Sequence, residues 1–368
     1  MKPNRIYSLD LLRGIVMILM ALDHSRHFLH NSSCDPENLE CTSPILFFTR
    51  WITHYCAPVF IFLVGISTYL YTEKNNKVKA TKFLLTRGLF LIFLELVVLR
   101  FAWFKDFTRP VIVLMVIWAI GMSMIFLGMV SRYLNSKTLL IIGALLVFGH
   151  NLLDRFQPDP SSLYGKLGIL LHYQEQFKLT DSFSVYVLYP LLPYFGLISL
   201  GYCAGQLFSK TYNPEKRRNY LLIGGIACIG LFILLRLLNQ YGDPKPWVPQ
   251  KNIVYTILAF LRTTKYPTSL LYLLMTIGPA LLVLYCFDKK VPGTLRPIIE
   301  IGQVPMFFYI VHLFLIKYTA ILYGGLAALS LKEVYGAWII YILVLYGLCR
   351  YYGKYKFAHP EKKWLSYL

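Results

Sequence analysis

Leu9-Asp10-Leu11-Leu12-Arg13-Gly14-Ile15-Val16-Met17-Ile18-Leu19-Met20-Ala21-Leu22-Asp23-His24-Ser25-Arg26-His27-Phe28-Leu29-His30 is the stretch from which the fold is read. It is long enough to cross a bilayer, since about 20 residues at about 1.5 Å each span the hydrocarbon. It also carries ionisable groups toward both ends, which a purely lipid-facing segment avoids. Nine further apolar runs follow, near 46–72, 83–103, 111–131, 138–154, 185–208, 219–239, 268–287, 300–325 and 335–353. The chain therefore reads as an all-α integral membrane protein, a polytopic bundle of about ten transmembrane helices in a lipid bilayer. Composition agrees. Of 368 residues, 57% are hydrophobic and 15% charged, with a mean hydropathy of +0.54, whereas soluble domains carry roughly 25% charged residues.

The few charges are lopsided, with 37 Lys and Arg against 18 Asp and Glu. On a soluble chain that excess points to nucleic acid. Here no nucleic-acid partner is expected, because basic residues gather in loops that face the cytoplasm. The arm with Lys2 and Arg5, the loop with Lys74, Lys77, Lys79 and Lys82, the 210–218 turn and the tail after Arg350 are placed inside. The longer segments with Lys105, Arg109 and Arg155 are placed outside. Both termini then lie in the cytoplasm. The first span, with Asp10 and Arg13 and no small-residue cleavage site, is expected to be retained. Cys34 and Cys41 share an outer loop; a disulfide is expected there if that side is oxidising, two free thiols being the alternative. No Cys/His spacing resembles a zinc site, and no metal is expected.

At about 100° per residue, Asp10, Arg13, Met17, Met20, His24 and His27 fall within about 80° of one another on the first helix. One stripe thus carries an acid–base pair near the inner surface and imidazoles near the outer one, about 21 Å apart. Asp23 and Arg26 point elsewhere, toward neighbouring helices. The bland alternative is that Asp10 and Arg13 are an i,i+3 helix-end salt bridge. Of eight histidines only His359 is placed inside; His24, His27, His30, His54, His150, His172 and His312 map to the outer half. Imidazole serves as base or nucleophile near neutral pH, so a reaction centre open to the outside is expected.

Several stretches resemble one family. Arg5-Ile6-Tyr7-Ser8-Leu9-Asp10-Leu11-Leu12-Arg13-Gly14 and Leu22-Asp23-His24-Ser25-Arg26 resemble the opening of the heparan-α-glucosaminide N-acetyltransferase catalytic-domain family, in its bacterial branch. Residues 49–65, Gly149-His150-Asn151-Leu152-Leu153-Asp154, residues 189–196, Lys265-Tyr266-Pro267-Thr268-Ser269-Leu270 and residues 302–312 continue the match in order. The resemblance implies a single transmembrane acyltransferase domain over 1–368. It implies an enzyme of a bacterial inner membrane that takes acetyl from cytosolic acetyl-CoA and delivers it to an amine or hydroxyl of an extracytoplasmic glycan or amino sugar. Acetyl-CoA is then a donor substrate, with no permanently bound cofactor, and a homodimer is the assembly to test. The lysosomal relative uses a histidine between the first two spans. Counting from Asp10, that position falls in the Cys34–Cys41 loop, which has none, so the role passes to His24, His27, His30 or His54.

On this reading Asp10 and Arg13 form the donor end of the site. His24 is the preferred base or acetyl carrier, with His27 and His54 as further candidates and Asp23 or His54 orienting its second nitrogen. Arg50, Asn151, His150, Tyr309 and His312 are candidates for holding substrate or the tetrahedral oxyanion. The competing class is a proton-coupled secondary transporter that uses the same groups as a relay. Transporters of that kind carry paired repeats, and no duplication is visible in this sequence.

Overall fold

The computed structural model describes residues 5–104, 110–322 and 325–367; Lys2, Lys105 and Arg109, named above, lie outside them. In chain order the helices are α1 (Tyr7–Leu29), α2 (Pro44–Trp51), α3 (Cys56–Lys74), α4 (Lys77–Phe93), α5 (Arg100–Trp103), α6 (Val116–Tyr133), α7 (Ser136–Gly149), α8 (Leu163–Leu171), α9 (Leu191–Ala204), α10 (Pro214–Leu238), α11 (Ile253–Leu261), α12 (Leu270–Phe287), α13 (Arg296–Gly302), α14 (Pro305–Leu322) and α15 (Leu331–Ala358). Their starts follow local chemistry. The side chains of Ser43, Asn76, Asn135, Ser162, Asn213 and Asn252 each accept a backbone N–H from the turn they precede, satisfying amides that the helix leaves orphaned. Ser330 and Glu333 form a reciprocal capping box.

Eight helical stretches among the described residues are long and apolar enough to cross a bilayer: Pro44–Lys74, Val116–Tyr133, Ser136–Arg155, Leu191–Phe208, Pro214–Leu238, Leu270–Phe287, Pro305–Leu322 and Leu331–Ala358. The protein is an integral membrane protein of the all-α polytopic class. Of the two further spans expected, α1 carries at least three of Asp10, Arg13, Asp23 and Arg26 in any 18 consecutive residues, and α4 has 17 residues. Apolar side chains face outward where lipid would meet them, as with Ile226, Ile233 and Leu237 on α10 and Ile340, Leu343 and Val344 on α15.

Three expected spans are shorter or more broken than their apolar runs. Val111–Leu114 and Phe183–Val187 are strands β1 and β3, not helix; with β2 (Gln176–Thr180) they form a sheet in the order β1-β3-β2. β1 and β3 run parallel, β2 and β3 antiparallel. Both of the first two runs are rich in β-branched and aromatic residues, and a short apolar run of that kind reads equally as strand or buried helix. The 300–325 run breaks between Gly302 and Pro305, where proline disfavours a helical residue before it. The Pro44–Lys74 line is continuous, but a 3₁₀ turn at Ile52–Tyr55 interrupts it.

The chain clusters into two units. The first holds the residues up to Cys56, Trp247–Arg262 and the chain from Leu282 on; the second holds Ala57–Pro246 and Thr263–Leu281. In the first, α1 packs on α13, α14 and α15. Its approach to α13 depends on two glycines. A Cβ on Gly14 would lie 2.0 Å from the Ile298 carbonyl oxygen, and one on Gly302 would lie 1.9 Å from the Asp10 carbonyl oxygen. Trp338 of α15 donates its indole N–H to the Ile18 carbonyl at 3.0 Å. In the second unit α4 packs on α6, and α9 on α6 and α7.

Candidate functional site

The N-terminal end of α1 is an ion cluster. Asp10 is 4% exposed. Arg5 Nε donates to its Oδ2 and Arg13 Nη1 to its Oδ1, the latter at 3.0 Å. Arg13 Nη1 also reaches the Gly302 carbonyl at 3.4 Å, and the Arg5 guanidinium lies over the Phe357 ring at 5.2 Å. The i,i+3 salt bridge expected from spacing is therefore present, enlarged by Arg5. Two guanidinium groups against one carboxylate leave the cluster net positive.

At the other end of the stripe, His24 Nδ1 lies 2.7 Å from His312 Nε2, with the rings stacked at 4.9 Å between centroids. His312 Nδ1 is 2.9 Å from the Phe308 carbonyl oxygen one turn earlier on α14. A carbonyl only accepts, so Nδ1 of His312 carries the proton, and in the neutral ring Nε2 carries the lone pair. That lone pair accepts the Nδ1–H of His24. In a neutral His24 the remaining lone pair is then on Nε2. Phe308 and Tyr309 flank His312 with ring centroids at 5.2 and 5.5 Å. His27, next on the stripe, is exposed.

A second polar assembly in the same unit joins α1, the loop after it, and the 3₁₀ turn. Arg50 Nη1 donates to both carboxylate oxygens of Asp23 at 2.8 Å each, and Arg26 Nη2 to Asp23 Oδ1 at 3.0 Å. Asp23 thus bonds across to α2 through Arg50, whereas its bond to Arg26 stays within α1. Arg50 Nε lies 3.6 Å from Glu37 Oε1, and that same oxygen accepts His54 Nε2–H at 2.5 Å. Glu37 belongs to a loop closed by the Cys34–Cys41 disulfide. Leu39 of that loop packs with Phe47, Leu258 and Ala259.

His150 and Asn151 belong to the second unit, at the end of α7. Asn151 uses both ends of its amide: Nδ2 donates to Asp154 Oδ2 at 2.7 Å, and Oδ1 accepts the Leu270 N–H at 2.8 Å, at the start of α12. His172 Nε2 donates to Asp154 Oδ1 at 2.7 Å. His150 is 3% exposed, its ring 5.5 Å from that of His172, and neither of its ring nitrogens has a hydrogen-bond partner among the described residues. Around this group the phenols of Tyr173 and Tyr241 are pushed above the usual tyrosine range, by burial first and by the Asp154 carboxylate second. Among the described residues no group of His, Cys, Asp and Glu is arranged to hold a metal ion.

Three features escape sequence reasoning. Glu37 sits in a loop without periodicity, and its link to His54 exists only through space. Asp154 lies inside a quoted motif, but nothing in spacing joins it to His172. Lys317 is buried on α14, hidden in an apolar run where a single lysine reads as a helix end.

The fold and this geometry define a helical membrane protein with buried imidazoles held by carbonyl, carboxylate and imidazole partners. The family model described as heparan-alpha-glucosaminide N-acetyltransferase, catalytic, matches residues 5–236, and the chain belongs to that family. Membership makes this a membrane acetyltransferase-type protein. The matched segment contains the Asp10 cluster, His24, Glu37, His54 and Asp154, while His312 lies beyond it. A comparison with curated proteins finds no match.

Proposed function

We propose that the protein transfers acetyl from acetyl-CoA, bound from the cytoplasmic side, to an amine or hydroxyl of a sugar or glycan on the far side of a bacterial inner membrane, with both termini in the cytoplasm. The net-positive cluster of Arg5, Arg13 and Asp10 suits the donor's phosphates. The donor's arm then extends along α1 over the about 21 Å of rise to His24. The acceptor nitrogen or oxygen attacks the thioester carbonyl carbon while its proton passes to His24 Nε2. The carbonyl oxygen becomes an oxyanion, for which Tyr309 and Arg50 are the donors. Collapse breaks the carbon–sulfur bond, and the thiolate takes the proton from His24 and leaves as CoA.

The observation that carries this reading is the Phe308–His312–His24 hydrogen-bond chain, which assigns a lone pair to Nε2 of an imidazole on the stripe. A transient acetyl group on that same nitrogen is the two-step form of the chemistry, marked by ping-pong kinetics. The test uses proteoliposomes with radiolabelled acetyl-CoA on the face bearing the termini and a panel of amino sugars on the other. Labelled acetyl-sugar outside and CoA inside are expected, with His24→Ala slower by about 100-fold or more. Full transfer by His24→Ala, or no binding of acetyl-CoA to the purified protein, overturns the proposal. Entry of unmodified sugar without acetylation would instead favour a proton-coupled transporter.

A further inference from the structure

We propose that Glu37 is a positioning residue for His54: its carboxylate holds the ring with Nε2–H toward itself and the lone pair on Nδ1, so that His54 orients the attacking group of the acceptor. The role in transfer rests on the reading given above; the hold on the ring does not. His54 as a residue is 1% exposed and sits in the 3₁₀ turn that breaks the Pro44–Lys74 line. An ionised carboxylate only accepts. With Oε1 at 2.5 Å from Nε2, the proton of the neutral ring is at Nε2, and Nδ1 is the acceptor. A ring without such a partner is a mixture of two tautomers, only one of which can accept a hydrogen bond at a given nitrogen.

Glu37 is itself over-determined for a residue in a surface loop. Its own N–H donates to Asp35 Oδ1 at 2.9 Å, and its carbonyl accepts from Arg262 Nη1 at 3.2 Å. Its carboxylate faces Arg50 Nε at 3.6 Å, and Arg50 is anchored in turn on both oxygens of Asp23, the neighbour of His24. The Cys34–Cys41 disulfide closes the loop around it. Its side chain remains 27% exposed while that of His54 is 2% exposed. A partly solvated acid thus reaches inward to a buried imidazole, the arrangement by which a base is oriented by a third group.

The experiment uses the full-length protein in detergent micelles, labelled with ¹⁵N-histidine, with the His54 signals assigned by their loss in His54→Asn. In the wild type the ring shows one protonated Nε2 and one bare Nδ1. In Glu37→Leu the two nitrogens are expected to shift toward the averaged values of mixed tautomers, and in Glu37→Asp to stay near the wild-type values. Acetyl transfer to the amino-sugar panel is expected to fall about tenfold or more in Glu37→Leu, the usual scale for loss of an orienting partner, and to return in part in Glu37→Asp. If Glu37→Leu does not fold, Glu37→Gln keeps shape and an acceptor oxygen, and is expected to show partial loss of both signatures. Wild-type His54 shifts in the folded variant, or unchanged transfer, overturns the proposal. If the wild type itself transfers no acetyl, the functional reading falls, while the ¹⁵N shifts still decide whether Glu37 holds the ring.

Discussion

His24 Nδ1 and His312 Nε2 lie 2.7 Å apart across 288 residues of chain, and the second nitrogen of His312 is spent on the Phe308 carbonyl. Removing the His312 ring leaves α1 and α14 in place but takes away what selects the His24 tautomer. His312→Ala is expected to slow acetyl transfer by about 10- to 100-fold with less change in the apparent affinity for acetyl-CoA. His24→Ala should be slower still. Initial rates with radiolabelled acetyl-CoA check both, and a His312→Ala protein as fast as wild type would sink the tautomer argument.

The crossing of α1 and α13 predicts a contrast between glycines. Gly302→Ala places a methyl where the Asp10 carbonyl oxygen already stands, at 1.9 Å, and Gly14→Ala does the same toward Ile298 at 2.0 Å. Both contacts are with backbone, so the helices must part, at a cost of about 1–3 kcal/mol or more. Gly347, inside α15, has nothing within 4 Å of such a methyl. There alanine should stabilise the helix by up to about 1 kcal/mol. Thermal unfolding in detergent is expected to rank the variants Gly347→Ala, wild type, then the two crossing mutants.

Much of this architecture is legible in sequence because lipid imposes a simple rule: long apolar runs must be helices. The rule weakens where runs are short or punctuated. Val111–Leu114 has the same apolarity as a helix start, yet pairs with Phe183–Val187 as a strand, since four residues show no period. The stripe on α1 has an angular order that places Asp10 and Met17 in the interior, and the same order leaves His27 exposed, because the stripe's angle says nothing of where its neighbours end. The partners are the least legible part. His312, Glu37 and Asp154 acquire their meaning from contacts that local spacing does not encode, and Glu37 lies where the chain has no period at all.

The disulfide predicts a loop-dependent loss. Closing about eight residues is worth roughly 2–3 kcal/mol in loop-closure entropy, and here that loop carries Glu37 and Leu39. Cys34→Ser with Cys41→Ser is expected to leave the membrane helices folded by circular dichroism, to make the 34–41 loop faster to cleave by protease, and to lower acetyl transfer by several-fold. Loss of transfer without faster cleavage would show that the loop is not the cause.

Asp154 predicts a change that titration can read in the second unit. Its carboxylate accepts from His172 and Asn151 and helps to raise the Tyr173 and Tyr241 phenols above the usual tyrosine value, burial being the larger cause. A negative charge nearby opposes formation of tyrosinate. Asp154→Asn keeps the shape and removes the charge, so both phenols should ionise at lower pH than in the wild type while staying above an ordinary tyrosine. With ¹³Cζ-labelled tyrosine, both titration curves should move to lower pH in the variant, and curves that do not move would show that burial alone raises the two phenols. The same substitution turns one acceptor oxygen into a donor group facing either His172 or Asn151. A buried mismatch of that kind costs about 1–3 kcal/mol, so a lower melting temperature should accompany the shift.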